Sequence, residues 1–179
     1  NVADPMLSAA TSRLTGAPGP PASSRHMGRT MSEARGWYSR GYLPHFDSPE
    51  TVQHIVFRTA DSLPAYVEAA RGEDSRRRAW IADEALDRGL GACLLAEPRA
   101  AMIVENALLH FDGARYRALA WCVMPNHVHA LIEQVEGFAL PDVVRSWKTF
   151  TAARVNALDG KRGAFWARDY FDRFMRDET

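Results

Sequence analysis

The stretch WCVMPNHVHALIE, residues 121–133, places His127 and His129 on either side of a single valine in a run that otherwise reads as a buried β-strand. Side chains alternate faces along a strand, so the two imidazoles leave the same face while Val128 points the other way. Neutral, they can hold a cation together; charged, they repel. Two imidazoles leave a cation short of ligands, so a third must come from elsewhere, with water or substrate oxygens completing the shell. Such mixed ligation with open positions suits a catalytic Mg²⁺ or Mn²⁺, and Zn²⁺ stays open as well. Spacing alone does not separate this from two half-exposed histidines on a strand edge. Asn126, in the turn before the pair, is placed either to orient the first histidine or simply to make the turn.

The elements around the pair are legible from their periods. TVQHIVFRTAD (51–61) has the β-branched content of a strand, and in it His54 has no assigned role. Residues 75–88 predict a helix with Trp80, Ala82, Ala85 and Leu86 as its stripe, stopped at Gly89, with the arginines 76–78 in solvent. A second helix runs from about Pro98 to Phe111, with Pro in its first turn and Met102, Ile103, Ala107 and Leu108 at helical spacing. Asp112-Gly113 turns the chain into a strand over 115–124, and MPN hairpins it against HVHALIEQV. From Leu140 to Leu158, residues 140, 144, 147, 151, 155 and 158 recur with a helical period, so Trp147 is read as core, while Arg145, Lys148 and Asn156 fall on the other side. Strand, helices, hairpin and helix together predict an α+β fold, an antiparallel sheet with helices on one face in a ferredoxin-like or RRM-like sandwich. The face left open is the one expected to carry the histidines.

Residues 1–36 contain TGAPGPPASSRHMGRT, which is too poor in large apolar side chains to bury a core, and they are set aside as a disordered or non-native extension. Residues 37–179 are read as one domain. Hydrophobic residues make up 46% of the 179 and charged residues 25%, ordinary for a globular chain, and no run approaches the length of a membrane span. Cys93 and Cys122 suggest reduced thiols rather than a disulfide framework. Net charge is zero, yet Arg145, Lys148, Arg154, Lys161, Arg162 and Arg168 stand against the one acid Asp159 over residues 145–168. That local excess is either a solvated face or a stripe that binds phosphates.

The whole of WCVMPNHVHALIE resembles the His-hydrophobe-His motif of the single-tyrosine transposases, in particular the REP-associated tyrosine transposases. GYLPHFDSPETVQHIVFRTADSLP (41–64), SWKTFTAARVN (146–156) and GAFWARDYFDRFMRDE (163–178) resemble further segments of that family in the same order, covering Trp37 to Thr179; no role follows for His45. The resemblance implies that His127 and His129 bind a divalent metal, Mg²⁺ or Mn²⁺, which polarises a phosphodiester of single-stranded or hairpin DNA of the palindromic-repeat kind. A tyrosine hydroxyl then attacks the phosphorus to give a 5′-phosphotyrosine link, and the freed 3′-OH can later rejoin DNA, so no nucleotide cofactor is required. Arg145, Lys148 and Asn156 become candidate DNA contacts and Asn126 the orienting partner of His127. The resemblance implies a bacterial cytoplasmic protein at the nucleoid, able to form a homodimer and without a membrane partner.

The sequence departs from the family in one respect. The family's nucleophilic tyrosine lies on a later helix, in a run like Tyr-Ile-x-x-Asn-Pro-Val, and this sequence reaches Thr179 before any such run. Tyr170 is the fallback nucleophile, against a reading in which its ring packs under a turn with the hydroxyl at the surface. The chain as given is therefore expected to be inactive in strand transfer, as a fragment or a degenerate copy. The alternatives are a DNA-binding remnant without catalysis and a metal-dependent phosphohydrolase that uses water.

Overall fold

The computed structural model describes residues 11–12, 34–39, 44–63 and 75–175. A five-stranded antiparallel sheet has the order β1-β5-β6-β4-β7, built from β1 (Thr11–Ser12), β4 (Val52–Arg58), β5 (Tyr116–Val123), β6 (His127–Gln134) and β7 (Phe171–Phe174). Among the described residues between β4 and β5 lie two α-helices, α1 (Ser75–Asp87) and α2 (Pro98–Leu109), and α3 (Leu140–Leu158) connects β6 to β7. Strand, helix, strand, strand, helix, strand with the last-formed strand beside the first is the ferredoxin-like arrangement the periods implied. Thr11 and Ser12, within the stretch set aside as an extension, pair with Trp121 and Ala120 at the far edge.

The strands form where apolar residues recur every second position. In β6, Val128, Ala130 and Ile132 are buried on one face, and in β4 Ile55 and Phe57 continue the same surface. Trp147 of α3 lies on that surface, its ring 6.1 Å from Phe57 and 5.1 Å from Tyr116. The polar edges of this core are satisfied internally: the Trp147 indole donates to the Tyr116 hydroxyl at 2.8 Å, and that hydroxyl donates to the Leu108 carbonyl at 2.8 Å. Two expected core residues sit outside it. Met102 is 55% exposed and Leu158 45%, because Ala100, Val104, Ala107 and Leu108 carry the buried side of α2 and α3 is already past the sheet at its last turn.

Besides β1, three strands were not foreseen. β2 (Gly36–Ser39) and β3 (Pro44–Asp47) form a separate hairpin, and β7 closes the second edge of the sheet against β4. The hairpin is joined to the sheet through buried polar groups. Asp47 accepts from the Leu140 backbone N–H at 3.0 Å and from the Gln134 amide at 2.6 Å, so a carboxylate from β3 caps the first turn of α3. Among the described residues no helix is long and apolar enough to cross a membrane.

Candidate metal centre

His127 faces Arg58 across the β4–β6 ladder, and His129 faces Val56 on one side and Cys122 on the other. Directly paired residues share a face, so both histidines leave the face opposite Phe57 and Val128, and Val128 is fully buried beneath them. Their Nε2 atoms approach to 2.9 Å with the rings inclined at 77°. The expected open face is not open at this end. His127 is only 1% exposed, and beside it the side chain of Asn126 is held by the end of α1 and the turn beyond it.

Asn126 sets the chemistry of His127. Its amide donates to the carbonyls of Leu86 at 3.2 Å and Leu90 at 3.0 Å, which leaves its oxygen toward Nδ1 of His127 at 2.7 Å. The His127 proton therefore sits on Nδ1 and the lone pair on Nε2. Burial, with a smaller contribution from the charge of His129, pushes the His127 pKa down to about 4 against a weak upward pull from Asp87. At neutral pH the ring is uncharged and its Nε2 is available as a ligand.

Two nitrogens 2.9 Å apart subtend roughly 90° at a cation placed about 2.1 Å from each, the cis angle of an octahedron, whereas a tetrahedral site would spread them to about 3.3 Å. Among the described residues no group of three or more His, Cys, Asp or Glu that could hold a metal ion is found.

The structure adds two residues to the histidine face. His54, two positions along β4 from Val56, stacks on His129 with centroids 5.3 Å apart and planes 6° from parallel, its Nε2 lying 3.1 Å from Nδ1 of His129. Arg58, directly opposite His127, is the nearest cation by register, and its guanidinium is steadied by the Thr59 carbonyl at 3.3 Å and the Ser62 hydroxyl at 3.4 Å. Period two in TVQHIVFR would have put His54 and Arg58 on one face, but which face depends on the β4–β6 register.

The other candidate residues lie elsewhere. Arg145 and Lys148 belong to α3, which packs on the opposite face. Arg145 is ion-paired with Asp142, and Lys148 donates to the carbonyls of Ala167, Arg168 and Asp169 at 2.7, 3.0 and 3.3 Å. Asn156 donates to the Gly163 carbonyl at 2.9 Å and, with Lys161 and Arg162, lines a cleft of about 170 Å³ beside Thr59. Tyr170 is buried rather than superficial; its hydroxyl is 2.8 Å from that of Tyr38 and its ring lies against His45. His45, which the sequence left without a role, is fully buried between Asp169 at 3.2 Å and Asp172.

Residues 101–177 match the family described as "Transposase IS200 like". No curated protein matches the chain. Among solved structures, a REP-associated tyrosine transposase bound to a REP hairpin is 15% identical over 83% of this chain and 64% of that one, with a TM-score of 0.46. A putative transposase from Deinococcus radiodurans R1 is 18% identical over 78% of this chain and 86% of that one, with a TM-score of 0.40. The chain thus spans just under two thirds of the length of the first of these structures.

Proposed function

We propose that this chain, whose residues 101–177 match the family described as "Transposase IS200 like", processes DNA at the His127–His129 face, binding single-stranded or hairpin DNA beside a divalent cation. The observation that supports this most directly is the 2.9 Å approach of the two Nε2 atoms on one sheet face, within the stretch that matches the family. Mg²⁺ or Mn²⁺ held there would draw charge from a bridging phosphodiester and fix its position. The protein's own residues prepare that step. Asn126 holds the tautomer of His127, burial keeps the ring neutral, and Arg58 places a positive charge on the same face for a neighbouring phosphate.

Strand cleavage and rejoining through phosphotyrosine also need a hydroxyl within about 3 to 3.5 Å of the phosphorus. Tyr116 is fully buried in the core and Tyr170 is bonded to Tyr38 on the helical side of the sheet, so the nucleophile comes from none of these three; Tyr42 and Tyr66 lie outside the described residues. The test is a titration of residues 1–179 with a labelled palindromic hairpin, an unstructured strand of equal length and a blunt duplex. Preference for the hairpin or strand, with Mg²⁺-dependent tightening that disappears in His127→Ala and His129→Ala, is the expected result. Equal binding to all three DNAs with no metal effect would leave only a non-specific polyanion binder.

A further inference from the structure

We propose that a DNA strand bound at the histidine face runs on from it to the outer strand β7, where Phe171 stacks one base and Arg173 holds an adjoining phosphate. This rests on the reading above that DNA binds at that face. The alternation of β7 carries the inference. Asp172 points to the helical side of the sheet, where it meets the buried His45, and Phe174 points the same way, its ring 4.9 Å from that of Phe46. Phe171 and Arg173 therefore leave the opposite face. The ladder agrees. Phe171 is paired with Val56, which is paired in turn with His129, and Arg173 is paired with His54.

Phe171 takes no part in the core. Phe165, Trp166 and Tyr170, just before it in the chain, are core residues, whereas Phe171 is half-buried and lies outside that cluster. A large ring on the open face of a sheet is a platform for an unstacked base. Between Phe171 and His129 the row holds only Val56, 8% exposed, so a low floor about two strand spacings wide, roughly 10 Å, separates the two rings. A base next to a phosphate held at the histidines falls over this floor and against Phe171. The charge suits a polyanion. In the paired rows of this face Arg58, Arg117 and Arg173 stand against Glu133, which is already bonded to Arg117 at 2.8 Å. Arg173 is exposed and, among the described residues, has no ion pair. It lies about 7 Å from Phe171 along the strand, placed for a phosphate beside the stacked base. A duplex cannot use the platform, because its bases are already stacked.

The test compares, on the full chain at fixed Mg²⁺, binding of a hairpin with a single-stranded flank and of a blunt duplex. Phe171→Ala should weaken binding of the flanked hairpin about fivefold to hundredfold, the loss of one stacked base, and leave the duplex unchanged. Phe171→Trp, which keeps a stacking ring, should bind as wild type does. Arg173→Ala should lower the log–log salt slope for the flanked hairpin by about 0.7. Iodouracil placed in the flank should photocrosslink to Phe171. Wild type binding both DNAs alike would end the reading on which this rests. A preference for the flanked hairpin that survives unchanged in Phe171→Ala and Arg173→Ala would refute only the path to β7. An equal loss in Phe171→Ala and Phe171→Trp, or a loss on the duplex as well, also refutes it, marking a packing defect. Tighter DNA binding by Phe171→Ala would show the face closed by another part of the chain, and a dimer that Phe171→Ala dissociates would give the face to a second copy. Either result overturns the proposal.

Discussion

The ammonium of Lys148 donates to the carbonyl of Ala167 at 2.7 Å, and the neighbouring carbonyls of Arg168 and Asp169 complete a three-oxygen cradle. The segment so held leads into β7, so Lys148 joins α3 to the edge of the sheet on the side away from the histidines. Lys148→Ala should cost about 1–3 kcal/mol in urea unfolding, because it removes charge-assisted bonds to three carbonyls, two of them partly buried. Lys148→Arg, which cannot place five planar donors in a cradle shaped for a point charge, should recover only part of this.

Arg58 gives the complementary prediction. If it meets a phosphate of single-stranded DNA beside the histidines, Arg58→Ala should lower the log–log salt slope of binding by about 0.7, and the double substitution of Arg145 and Lys148 should leave the slope unchanged. The opposite pattern would move the DNA path to the helical face.

What the sequence could not reach in this comparison was the side of the sheet. The helical period placed Arg145 and Lys148 opposite Trp147, as found, but the polar side of α3 looks away from the histidine face, a relation created only when α3 docks. The histidine pair was legible because a period of two is local, and Val128 beneath it followed from the same rule. His54 was not, since its meeting with His129 depends on the pairing of strands some 75 positions apart. The β2–β3 hairpin and β7 are four residues each and carry His45, Asp47 and Asp172 as buried groups. Such short elements show no hydrophobic period, and their buried polar groups find partners far along the chain: His45 with Asp169 and Asp172, Asp47 with Gln134 and the Leu140 N–H.

Stability should pass through a maximum near neutral pH for reasons that reside in two histidines. Burial pulls the His45 pKa down, but the hydrogen bonds and charges of Asp169 and Asp172 outweigh it and raise it to about 9. From an unfolded value near 6.5, this stabilisation is complete below about pH 6.5 and lost as pH rises through 9. His127 is the reverse: with its pKa lowered to about 4, the folded state is favoured above about pH 6.5 and loses that advantage as pH falls toward 4. Each limb spans on the order of 3 kcal/mol. Urea midpoints from pH 4 to 9.5 should fall on both sides, with His45→Gln flattening the alkaline limb and His127→Gln the acid one; a flat profile in wild type would contradict both assignments.

Asn126 should be the most informative single position, because one side chain serves the fold and the centre through different atoms. Its amide donates to Leu86 and Leu90 and its oxygen accepts from His127, with the residue fully buried. Asn126→Ala removes all three bonds and should cost about 2–4 kcal/mol, the sum expected when buried carbonyls and an imidazole lose partners together. Asn126→Asp keeps the acceptor and removes the donors. Its carboxylate would face two carbonyls that now repel it, while the negative charge beside Nδ1 would raise the His127 pKa from its low value. The acid limb of the stability profile should then shrink and Mn²⁺ binding should lose affinity as pH falls below about 6, where the wild-type ring is still neutral. Midpoints and Mn²⁺ titrations at pH 5 and 7.5 on the two variants would check this. If Asn126→Asp binds Mn²⁺ with the same pH dependence as wild type, Asn126 does not set the protonation of His127 and the turn before β6 is purely structural.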